Sequence, residues 1–212
     1  MVRVSGKRPL GGMRRRGRVK LAVSIALAVP GVLMLTDWWQ GRALAMDLLH
    51  PTGELSVRLM ILAMLAGPLV ELSGTAHPLG RLLRGWLTIR RNLGVAAFGY
   101  AVLHFVFYAA DMTVPAMVDE LPIPSIWTGW LALALLAIPA VISFDAAVTA
   151  LRRRWKQVQY LVYPAFIIAL AHWLLLDWHW LGAALHLAPL ALVWTLRLAR
   201  RRSLSRTRGF PA

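Results

Sequence analysis

Six apolar runs punctuate the chain, at about 19–36, 55–72, 93–110, 126–150, 160–177 and 178–198. Each is long enough to cross a hydrocarbon core of roughly 30 Å as a helix. None alternates apolar and polar residues with the period of two that a barrel strand shows, and only helices or closed barrels satisfy their backbone inside lipid. The pattern therefore predicts an all-α fold, a six-transmembrane-helix bundle. It forms one domain over 19–198, between basic tails at 1–18 and 199–212.

Polar residues between the runs segregate by sign. Eight Lys and Arg lie between Arg3 and Lys20, four between the second and third runs, four between the fourth and fifth, and six from Arg197 onward. Only Arg42 and Arg58 fall elsewhere, while Asp37, Asp47, Glu54, Asp111, Asp119, Glu120 and Asp177 mark the opposite side. The positive-inside rule then predicts cytoplasmic N and C termini, with outward loops at 37–54 and 111–125. The first run, with its basic flank and Ala43-Leu44-Ala45, mimics a secretory signal. Asp37-Trp38-Trp39 and Arg42 stand between the run and that site, so it is read as a retained anchor.

Composition supports this picture, with 58% hydrophobic residues and a mean hydropathy of +0.60. A net charge of +15 invites a nucleic-acid reading, but the basic residues are collected by topology rather than on one folded face, so no nucleic-acid partner is expected. The partner is membrane lipid. The chain has no Cys, which excludes disulfides, iron–sulfur clusters, thiolate-ligated heme and a cysteine nucleophile. No GxGxxG or P-loop leaves room for a nucleotide-binding module. Histidine is then the main candidate for metal chemistry.

His104 lies seven residues before Asp111, about 10 Å below the outer end of the third run, and His172 five residues before Asp177, about 8 Å below the end of the fifth. Two imidazoles thus arrive at one depth on separate helices. Ala97 and Ala101 precede His104 by seven and three residues, and Ala165 and Ala169 precede His172 by the same intervals. Such a stripe serves close helix packing, or it clears a slot for a flat macrocycle whose iron takes an imidazole from each face. A buried imidazole in lipid needs a partner, and the pairing favours the ligand reading.

Other residues carry weaker signals. His50 and His77 read as loop residues, His179 as part of the outer aromatic belt, and His186 as a spare ligand or hydrogen-bond partner in the pocket. Arg58 is a candidate partner for a heme propionate. Glu71 and Asp145, at inner ends of spans, read as partners of nearby arginines. Arg90 and Arg91 read as topology determinants.

"RRNLGVAAFGYAVLHFVFY" together with "RRRWKQVQYLVYPAFIIALAHW" resembles the paired signature of the ferric-reductase-like transmembrane family, most closely its short bacterial branch, the MsrQ (YedZ) family. The resemblance runs from about His50-Pro51-Thr52-Gly53 to the end of the fifth run. It implies a b-type cytochrome of the bacterial inner membrane, multi-pass, with one heme b on His104 and His172. It further implies an electron-transfer subunit rather than a complete enzyme. Its acceptor would be a periplasmic molybdenum-dependent methionine sulfoxide reductase (MsrP-like), its donor the quinone pool or a cytosolic flavin reductase, with FMN as a second cofactor.

Two departures stand out. The family commonly carries a histidine thirteen residues before the second ligand, and here that place is Gln159, a poor iron ligand; a flavin or quinone site at Arg90, Arg91 and Gln159 would be altered accordingly. Gly67-Pro68-Leu69-Val70-Glu71 also brings an acid where the family is usually basic. The alternatives are a ferric or metal reductase with another acceptor, and a heme-free transporter or scaffold. The chain shows no internal repeat of the kind many transporters carry.

Overall fold

A computed structural model of the chain describes residues 10–73, 78–176 and 180–208, with side chains described over 17–73, 78–176 and 180–204. The described residues are helical, without a strand. In chain order the helices are α1 Leu10–Trp39, α2 Ala45–Ser73, α3 Pro78–Asp111, α4 Val114–Glu120, α5 Pro124–Val141, α6 Asp145–Leu151, α7 Arg153–Gln159, α8 Val162–Leu176 and α9 Trp180–Arg208. Six segments are long and apolar enough to span a bilayer: Gly17–Trp39, Ala45–Ser73, Pro78–Asp111, Pro124–Val141, Arg153–Leu176 and Trp180–Leu204. This is a multi-pass membrane protein.

Two expected boundaries move, each for a local reason. The fourth span stops at Val141 instead of running to 150. Ser143 Oγ turns back to donate to the Pro139 carbonyl (2.7 Å), Phe144 is extended, and Asp145 opens the short α6 rather than closing a span. Trp155 Nε1 pins this turn by donating to the Ile142 carbonyl (3.2 Å).

At the other end, His50-Pro51-Thr52-Gly53 belongs to α2, not to a loop. Pro51 removes one backbone donor, and the Thr52 hydroxyl donates to the Leu48 and Leu49 carbonyls at 2.6 and 2.9 Å. Inside a membrane protein, such side-chain bonds let a helix carry Pro and Gly without ending. Toward the basic ends, α3 reaches back to Pro78 and α9 runs on to Arg208, so Arg81 to Arg91 and most of the final arginines stand on helices.

Helix α2 forms the centre. Met60, Ala66 and Thr52 are almost or fully buried, and Ser56 Oγ donates to the Ala97 carbonyl of α3 (2.8 Å). Small residues permit this approach, which lipid itself does not drive hydrophobically. Peripheral α1 is fastened to α3 by Tyr100. Its hydroxyl donates to the Leu27 carbonyl (2.8 Å) and accepts from Gly31 N–H (3.0 Å), inserting into the turn beside Pro30. Along the chain, α2 and α5 run from the acidic to the basic end of the bundle, and α3 and α8 return. The core thus consists of two helix pairs of the same sense.

Candidate functional site

Between these pairs lies a cavity of about 510 Å³ toward the acidic end, walled mainly by apolar side chains of α2, α3, α5 and α8. That volume falls within the range of small-molecule and cofactor pockets, roughly 300–1,000 Å³. His104 and His172 both line it, on facing helices, with ring centroids 6.1 Å apart and planes at 87°.

Each imidazole is held through Nδ1. His104 Nδ1 lies 2.9 Å from the Leu49 carbonyl oxygen, and His172 Nδ1 lies 2.5 Å from that of Ser125. A carbonyl oxygen only accepts, so Nδ1 carries the proton and donates in both rings. The neutral ring then keeps its lone pair on Nε2, the arrangement in which histidine binds a metal.

Both rings also lie close against a glycine on the neighbouring helix. A Cβ on Gly53 would sit 3.2 Å from His104 Nδ1, and one on Gly129 only 2.7 Å from His172 Cε1. These glycines and the two carbonyls are site features that side-chain reasoning missed. The only trace of them in the sequence is the dipeptide Thr-Gly, at 52–53 and 128–129.

Of the stripe residues, Ala101, Ala165 and Ala169 line the cavity, and Ala97 is fully buried beneath it. His50 lines it too, as a helical residue rather than a loop residue. His186 and Arg58 are not among the described lining residues. They pair with each other: Arg58 Nε donates to His186 Nε2 (2.9 Å), His186 Nδ1 donates to the Gly182 carbonyl (2.7 Å), and Arg58 Nη2 donates to Glu54 (2.6 Å). Both ring nitrogens of His186 are therefore engaged. Glu54 touches the cavity, so this network adjoins the site from α2 and α9. His77 and His179 lie outside the described residues.

At the basic end the polar side chains close on one another. Arg91 donates to Asp145 (2.5 Å), whose carboxyl is thereby held below the usual carboxylate range. The Gln159 amide donates to the Pro139 carbonyl (3.0 Å) and to Ser143 Oγ (3.3 Å). Glu71 accepts from Arg197 (2.7 Å) and Arg201 (2.6 Å), clasping α2 to α9. Arg90 is exposed, and neither it, Arg91 nor Gln159 is among the described residues lining the cavity.

Residues 52–170 match the family model described as the ferric reductase like transmembrane component, more than half of the chain. The chain is also similar to the protein-methionine-sulfoxide reductase heme-binding subunit MsrQ of Brucella ovis. The two are 33% identical over 156 residues, 71% of this chain and 67% of the relative. The chain belongs to the MsrQ family. The MsrQ of Brucella anthropi is 30% identical over 170 residues, covering 76% of this chain and 73% of its own. That of Xanthomonas campestris pv. campestris strain 8004 is 29% identical over 202 residues, 89% of each. No solved structure matches the chain significantly. The matched family segment begins at Thr52 and contains His104, Gly129 and most of the walls of the cavity; His172 follows two residues after it.

Proposed function

We propose that this chain is a b-type cytochrome of the bacterial inner membrane, holding one heme b between His104 and His172. The single observation that carries the reading is the pair of Nδ1-tethered imidazoles facing each other across one cavity. Both imidazoles would hold the iron through their free Nε2 atoms, which requires the two rings to stand close together in one cavity. The observed centroid separation is 6.1 Å. The relatives' description as heme-binding subunits supports the same cofactor.

Bound there, the iron would supply one-electron redox chemistry; the chain supplies position, axial ligands and a water-poor surrounding. His104 and His172, each tethered through Nδ1–H with Nε2 left free, would hold the iron from the two helix pairs. The mainly apolar walls lower the dielectric around the two rings. If the basic end is cytoplasmic, as the positive-inside rule predicts, the site lies in the periplasmic half.

The proposed role is to carry electrons from the quinone pool or a cytosolic flavin reductase to a periplasmic MsrP-like reductase of protein methionine sulfoxide. FMN near Arg90, Arg91 and Gln159 follows from the resemblance alone.

The test is to reduce the purified protein with one equivalent of dithionite and follow its reoxidation. Faster reoxidation by a periplasmic methionine sulfoxide reductase supplied with an oxidised protein substrate is expected. Preference for ferric chelates would move the assignment to a metal reductase, and a colourless protein would move it to a scaffold or transporter.

A further inference from the structure

The two halves of the cavity repeat one another in position, a correspondence that the sequence alone does not show as an internal repeat. Gly129 follows Gly53 by 76 positions; the same step carries Ser56 to Ala132 and Met60 to Leu136, and all six residues line the cavity. On the partner helices, His172 follows His104 by 68 positions; that step carries Ala101 to Ala169 and Phe105 to Trp173, and all of these line it as well. The α2–α3 pair and the α5–α8 pair therefore present the same register of residues to the same space, with little sequence identity between them.

The correspondence extends to hydrogen bonding. Thr52 Oγ1 donates to the Leu49 carbonyl at 2.9 Å, the same oxygen that accepts His104 Nδ1–H. Thr128 Oγ1 donates to the Ser125 carbonyl at 2.9 Å, the same oxygen that accepts His172 Nδ1–H. Each threonine also bonds one carbonyl earlier, at Leu48 and at Pro124, and both threonines are buried. In each copy the next residue is the glycine against which the ring lies.

We infer that the site is a duplicated ligand cradle, in which Thr52-Gly53 positions His104 and Thr128-Gly129 positions His172. Glycine lets the imidazole lie on the helix backbone, and threonine sets the carbonyl that fixes the tautomer. The threonine hydroxyl also shares that carbonyl with the imidazole, drawing on its acceptor strength. Hydrogen bonding from Nδ1–H makes an imidazole a stronger donor to metal. Removing the hydroxyl leaves the carbonyl to the imidazole, strengthens ligand donation and favours the ferric state. The inference rests on the heme reading above for the identity of the ligand.

The test uses the purified full-length holoprotein, with two readouts: the ferric spin state by electron paramagnetic resonance, and the midpoint potential by redox titration. Gly129→Ala should lower the low-spin bis-imidazole signal at least tenfold, and Gly53→Ala by less, because its contact is longer. Gly94→Ala, where an added Cβ meets nothing within 4 Å, should leave the signal unchanged. Thr52→Val and Thr128→Val should each lower the midpoint potential, and Thr128→Ser should restore the wild-type value.

Wild-type spin state in Gly129→Ala together with wild-type potentials in both valine variants would overturn the cradle. If Gly129→Ala fails to accumulate, the valine and serine potentials decide the matter. A wild-type protein without heme would instead show that the heme reading has failed.

Discussion

Thirteen residues separate His104 from Arg91 along one transmembrane segment, and thirteen separate His172 from Gln159 along another, so the bundle carries two levels of paired positions. At the level nearer the acidic end, both side chains donate one proton to a backbone carbonyl and keep a lone pair directed elsewhere. At the level nearer the basic end, Arg91 is spent on Asp145, and Gln159 on Pro139 and Ser143. Both levels are polar, and at both the side chains are hydrogen-bonded to the protein. Only the first leaves an imidazole nitrogen over, a far better iron ligand than the amide oxygen of Gln159, and the single proposed heme belongs there.

The largest effect should come from His104→Ala combined with His172→Ala. Bound heme is expected to fall to background while the protein still inserts and keeps its helical circular dichroism, because the clasps at the basic end do not involve either ring. Heme retained near one per chain in that double variant would remove the distinction between the levels. The smallest effect should come from Gln159→His, which puts an imidazole back at the lower level. Thirteen positions before the other ligand stands Arg91, whose guanidinium has no lone pair to offer. The heme-to-protein ratio should therefore stay at one by pyridine hemochrome assay, and a rise to two would show that the lower level is also a site.

Much of this arrangement is legible in the sequence. The matched depths of His104 and His172, and the alanines three and seven residues before each, follow from helical rise and periodicity. The helix ends were less legible. Pro51 and Gly53 fall within the outward loop expected at 37–54, yet α2 passes through them, with the Thr52 hydroxyl bonded to the neighbouring carbonyls. Conversely, the run from 126 to 150 looks continuous, yet Ser143 and Trp155 fold its end over.

The partners of the two rings were invisible for a different reason. Backbone carbonyls have no letter, and the duplication survives in position rather than in identity, Ser56 against Ala132 and Phe105 against Trp173. The partnership of Arg58 with His186, 128 positions apart, likewise needs the folded chain.

The central claim, that His104 and His172 are the two axial ligands of a single heme b, is tested most directly by the absorption spectrum of the purified protein before and after dithionite, read with its heme-to-protein ratio. The expected result is one heme per chain, with the Soret and sharpened α band of a six-coordinate low-spin b-type center. A colourless protein, or a high-spin spectrum showing an open iron position, would contradict it.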